Sequence, residues 1–150
     1  MKIDSLLFGE LEIDRDKIVT FERGIPGFPE SKEYVFLELP DTPFFIMQSV
    51  SNELFFYVVN PYDFYQDYDV QLSDSVIETL RIEKPQDVLI YNIVTIPEDF
   101  QKATVNLKAP LVVNVTTRQG KQYILNEKHF GIRQPLFEKV TSSDVQEIGG

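Results

Sequence analysis

Cysteine and tryptophan are absent from the 150 residues, and histidine occurs once, at His129. Without cysteine there are no disulfides, no thiolate nucleophile and no cysteine-ligated zinc, and the composition suits a reducing cytosol. One histidine is too few for a histidine-based metal site. It also makes a poor triad member, because Glu127-Lys128-His129-Phe130 sets it beside a cation with no nucleophile motif nearby. Long apolar runs are missing too, and none approaches the ~20 residues needed to span a bilayer. Met1-Lys2-Ile3-Asp4 is not followed by the apolar stretch of a secretory signal. These absences lead us to expect a cytoplasmic chain with no membrane partner.

Positive charge is scarce. Fourteen Lys and Arg face 24 Asp and Glu, for a net charge of −10. The excess is uneven: residues 1–70 hold 14 acids and 5 bases, whereas residues 101–133 hold only Glu127 against 6 bases. Nucleic-acid binding depends on Lys and Arg neutralising phosphates, so the overall balance argues against direct nucleic-acid contact. It favours approach by a basic partner. The basic stretch around Lys102–Arg133 is the one feature that would suit a nucleic-acid module.

What is abundant is aromatic and β-forming. Twelve Phe and seven Tyr within a 43% hydrophobic composition exclude disorder and suit pleated, half-buried surfaces. Strand-like segments recur at short spacing over residues 2–7, 11–13, 18–22, 34–39, 44–49, 54–60, 88–94, 103–108, 111–117 and 122–125, the pattern of a sandwich or barrel. Within 103–108, Ala103, Val105 and Leu107 share one face while Thr104, Asn106 and Lys108 share the other. Pro110 lacks a ladder N–H and belongs at a strand start, an edge or a bulge. Ser51-Asn52-Glu53 and Arg118-Gln119-Gly120-Lys121 read as hairpin loops, with Gly120 supplying a positive φ, and Phe8-Gly9-Glu10 reads as a turn.

One segment has helical spacing. Val76, Ile77 and Leu80 fall on one face of 73–82, with Ser73 or Ser75 as cap and Lys84-Pro85 as stop. Such a helix is expected to plug an open end of the sheet. The resulting expectation is an all-β fold: a small antiparallel β-barrel-like domain over 1–140 with one or two short helices, and a frayed tail over 141–150.

No catalytic constellation emerges. Asp63, Asp67 and Asp69, with Asp74 twelfth, have part of the spacing of a calcium loop, but Tyr65 and Tyr68 stand where an oxygen ligand and glycine are needed. Gly24-Ile25-Pro26-Gly27-Phe28-Pro29 lacks the donors of a phosphate cradle, since its prolines remove N–H groups. It reads instead as a rigid loop holding Ile25 and Phe28 as apolar plugs. No catalytic, cofactor or metal residue is therefore assigned. Two contact surfaces are. Tyr62, Asp63, Phe64, Tyr65, Asp67 and Tyr68 mix rings and acids as interface anchors do. Thr104, Asn106 and Lys108 present a polar face that reads as a sheet edge open to strand addition or to a partner helix. A small carbohydrate-binding β-domain, relying on tyrosines and carboxylates, is the alternative from another class.

Three segments carry a family resemblance: Phe21-Glu-Arg-Gly-Ile-Pro-Gly-Phe-Pro29, Leu54-Phe-Phe-Tyr-Val-Val-Asn-Pro61 leading into Tyr62–Tyr65, and Asn106-Leu-Lys-Ala-Pro-Leu-Val-Val-Asn114 followed by Arg133-Gln-Pro-Leu136. In this order they resemble the flagellar assembly factor FliW family, over about residues 1–137. The resemblance implies a non-enzymatic cytoplasmic protein that binds flagellin as a chaperone. It also implies binding to the RNA-binding translational repressor CsrA, which frees flagellin translation.

Overall fold

A computed structural model describes residues 1–127 and 130–137. His129 and the tail 141–150 lie outside the described residues. Among the described residues there are eleven strands: β1 (Lys2–Ser5), β2 (Gly9–Glu12), β3 (Val19–Thr20), β4 (Glu33–Glu38), β5 (Phe44–Ser49), β6 (Phe55–Val59), β7 (Val88–Thr95), β8 (Thr104–Val105), β9 (Leu111–Asn114), β10 (Gln119–Gln122) and β11 (Gln134–Pro135). The α-helix described is α1 (Asp74–Thr79).

Seven of these strands close a barrel in the order β7-β6-β5-β4-β3-β10-β9 and back to β7. All neighbours are antiparallel except β3 and β10. This is the mainly β barrel anticipated from the strand spacing. Its interior is filled by alternate residues of each strand, among them Val19, Tyr34, Met47, Val58, Leu111 and Val113. Tyr91 stacks on Phe36 at 4.5 Å and meets Phe45 edge-on at 5.4 Å.

The outward faces are also covered. The β1–β2 hairpin lays Ile3 and Ile13 over Val35 of β4. Phe44, Val59, Val94 and Val105 point out of β5, β6, β7 and β8 into a second apolar layer completed by Tyr68, Leu107, Leu125 and Leu136. The helix does not plug an end. Val76 and Leu80 pack on Val112, which alternates with the interior residues Leu111 and Val113, so α1 lies on the outer wall. It is shorter than 73–82: Ser73 Oγ accepts the Val76 N–H at its start, and Arg81 turns to φ 54 just beyond its end.

Two turns fall earlier than expected: the one between β1 and β2 spans residues 6–8, not 8–10, and leaves Gly9 inside β2 with φ 74. The β9–β10 turn closes earlier than residues 118–121, because Asn114 Oδ1 accepts the N–H groups of Thr116 and Thr117. Arg118, not Gly120, takes the positive φ. Gly120 lies inside β10, where a Cβ would stand 2.6 Å from the Phe21 ring. In the 24–29 loop Ile25 is buried as expected, but Phe28 is 44% exposed and rests edge-on against Phe56. Gly24 is required there, since a Cβ would sit 2.6 Å from the Pro29 backbone.

The other end of Asn114 ties the helix to the barrel. Its Nδ2 donates to the carbonyls of Leu80 and Arg81. Close by, buried Asp87 accepts from the Glu83 and Lys84 N–H groups and from the Thr116 hydroxyl. Burial would raise this carboxyl, but those hydrogen bonds and the Lys84 charge outweigh it and hold it below the usual carboxylate value. Asn114→Ala should therefore destabilise the chain by about 1–3 kcal/mol, the cost of orphaned buried carbonyls. Gly120→Ala should cost a similar amount through overpacking against Phe21. Urea unfolding at neutral pH measures both, and a change within ~0.5 kcal/mol for either would refute its assigned role.

Candidate partner-binding surface

Strand β6 ends because Asn60-Pro61 turns the chain away. Asn60 Oδ1 accepts the Tyr62 N–H and caps a single 3-10 turn over Pro61–Asp63. The loop that follows divides its side chains by depth. Tyr68 is buried and Phe64 and Tyr65 are half-buried, while Tyr62, Asp63, Asp67 and Asp69 are exposed. Phe64 meets Phe137 at 6.0 Å, Tyr68 meets Phe130 at 4.9 Å, and the Tyr65 hydroxyl donates to the Pro135 carbonyl. These inward rings fasten the loop to the second apolar layer. The outward set leaves one ring, Tyr62, among acids. Its hydroxyl is raised by burial and then by the nearby Asp69 charge.

Tyr68 links this loop to the second predicted surface. Its hydroxyl donates to the Leu107 carbonyl and accepts from Asn92 Nδ2, which also donates to the Asn106 carbonyl at 2.7 Å. Asn106 uses its own Oδ1 to accept the Lys108 and Ala109 N–H groups. Asn106 therefore shapes the bend before Pro110. The open-edge expectation for 104–108 also fails, because β8 has β7 on one side and β11 on the other. Thr104 and Lys108 are half-buried.

Instead, sequence reasoning misses a groove beside Tyr62 and Asp63. It has a volume of about 770 Å³ and is lined mainly by apolar residues, including Leu72, Ile82, Leu89 and Ile90. The strand-like segments 54–60 and 88–94 are equal in length, so nothing in the sequence marks the overhang that creates it. Asp63, Asp67 and Asp69 do not converge on a cation: among the described residues no group of three or more His, Asp or Glu is placed to hold a metal. Among the same residues no helix is long and apolar enough to cross a membrane.

Burial pushes the Tyr68 hydroxyl up to about 12, with the Asn92 hydrogen bond pulling it down and Tyr62 pushing it up. The folded value lies above the ordinary 10.0, so the stabilisation is complete below pH 10 and is lost as pH rises through about 12. Unfolding free energy should fall across that window. Tyr68→Phe should lower stability at pH 8 by about 1 kcal/mol and flatten the alkaline fall. Urea unfolding at stepped pH is the measurement, and an unchanged alkaline slope in the variant would contradict the assignment.

Comparison with known proteins agrees with this architecture. Residues 2–136 match the family model described as FliW protein. A flagellar assembly factor FliW from Geobacillus sp. (strain WCH70) is 45% identical over 142 residues, covering 93% of this chain and 99% of the relative. One from Caldicellulosiruptor bescii is 40% identical over 143 residues, covering 95% and 94%. A crystal structure of the flagellar assembly factor FliW superposes with a TM-score of 0.86 at 42% identity, covering 91% of this chain and 97% of that one. Strand order, segment motifs and these matches together make the chain a member of the FliW family of flagellar assembly factors.

Proposed function

We propose that this chain is a cytoplasmic, non-enzymatic assembly factor that binds flagellin as a chaperone. In flagellin's absence it binds a CsrA-type repressor and relieves repression of flagellin translation. Family membership supports the setting. The observation that carries the contact surface is the exposed set Tyr62, Asp63, Asp67 and Asp69 on a loop whose inward rings are anchored. A basic RNA-binding repressor is complementary to this loop, and the net charge of −10 repels RNA from the same approach. Phe64, Tyr65 and Tyr68 serve the loop by holding it; Thr104, Asn106 and Lys108 lie behind it and contribute less.

Co-elution of the purified chain with flagellin and with the repressor tests the reading, and both complexes are expected. Failure to form either would overturn it. The triple variant Asp63→Lys, Asp67→Lys, Asp69→Lys should weaken repressor binding at least about tenfold at low salt and affect flagellin binding less. Repressor affinity that stays at the wild-type value would remove this loop from the interface.

A further inference from the structure

Strand β7 outruns its neighbour β6. The two pair through Tyr57–Val94, Val58–Ile93 and Val59–Asn92 and no further, because the chain leaves the ladder at Asn60-Pro61. Val88 to Tyr91 pair only with β9. The direction of their backbone groups follows from two hydrogen bonds. Val115 N–H donates to Asp87 C=O, and Asn106 N–H donates to Ile93 C=O. Odd-numbered residues of β7 therefore point their amides toward β9 and β8, and even-numbered ones toward the β6 side. Val88 spends its N–H on Pro85 C=O. Its C=O, with both backbone groups of Ile90, faces the gap that β6 vacated. Pro61, which a continued register would set opposite Ile90, has no N–H to offer across it.

The gap is lined on both sides of the sheet. Phe45, Leu89 and Tyr91 belong to the barrel's inner face, while Leu72, Ile82, Val88 and Ile90 belong to the outer one, and all border the same cavity. Leu89 is 46% exposed. A strand laid along this edge would send successive side chains alternately to the two faces, and both faces are apolar. Asp63 and Glu83 also border the cavity, and Asp69 acts electrostatically on Tyr62, which lines it. Lys84 borders it too, so the charged lining is two acids to one base.

We propose that the Val88–Tyr91 edge of β7 is a strand-addition site for an extended partner segment of three or four consecutive apolar residues flanked by Lys or Arg. Backbone pairing with Ile90 would supply register, the two apolar faces would accept the side chains, and the acidic rim would accept the flanking cations. Consecutive apolar residues, instead of the alternating pattern common for added strands, are the signature of an edge with two dry sides.

The probe is the capped peptide acetyl-Lys-Lys-Val-Ile-Val-Ile-Lys-Lys-amide, titrated into the full chain by calorimetry. Two further peptides carry N-methyl groups on alternate amides of the apolar run, one on each edge. The parent should bind, one isomer should bind at least about tenfold more weakly, and the other should keep its affinity, because only one peptide edge pairs with Ile90. Leu89→Asp, at a position 46% exposed, should also weaken the parent at least about tenfold while urea unfolding matches the wild-type chain. No binding by the parent, equal behaviour of the two isomers, or an unaffected Leu89→Asp variant would each overturn the proposal. The site does not depend on which protein is the partner, so its failure would leave the co-elution result standing.

Discussion

Barrel closure rests on one strand changing partners. Residues 88–91 of β7 pair with β9 and complete the seven-stranded ring, whereas residues 92–95 lie between β6 and β8. An eight-residue strand serving two sets of neighbours must bring its buried side chains into three compartments. Tyr91 and Ile93 fill the interior, Val88 and Ile90 meet the helix, and Val94 enters the second apolar layer. Asn92, buried at the crossover, carries the polar link to Tyr68 and Asn106. Through these bonds Tyr68, and with it the 61–69 loop, is held at the point where β7 switches partners.

The segment Asn106–Asn114 shows how a motif without chemistry can still be demanding. Each asparagine closes a turn with its Oδ1, and Asn114 reaches with Nδ2 to the carbonyls at the end of α1. Pro110 is buried at the start of β9, where it owes no ladder N–H. The side chains in this stretch are spent on geometry. The surface proposed to face partners lies on the loop that Tyr68 ties to this segment.

The recurrence of short strand-like segments made the barrel legible, and Phe44–Ser49 matched its strand residue for residue. Apolar residues on both faces of that strand report burial, and burial is what fixes it. Three things were not written in that pattern. Gly120 looked like a turn glycine, yet its role is close approach to a ring distant in sequence. The helix showed its apolar face but not which surface it would cover, because the outer wall of β9 is as apolar as an open end. The strand β11 (Gln134–Pro135) contains a proline and is too short for any period. The acidic aromatic loop could be read as a composition, but its division into anchoring and exposed residues depends on Phe130, Pro135 and Phe137 arriving from the far end of the chain. The groove depends on β6 stopping at Val59, just before Asn60-Pro61, while β7 runs on.

A scaffold this thoroughly packed leaves few places for a partner. The β4 wall carries the hairpin, the β9 wall carries the helix, and the outer faces of β5 to β8 carry the second layer. Among the described surfaces, the acidic loop with Tyr62 exposed and the β6-facing edge of Val88–Tyr91 beside it combine charge with an open apolar groove. Hydrogen–deuterium exchange on the chain, free and bound to the CsrA-type repressor, tests this most directly. The account predicts slowed exchange in residues 62–69 with the β1–β2 hairpin unchanged. Protection centred on the hairpin, with residues 62–69 exchanging as in the free chain, would contradict it.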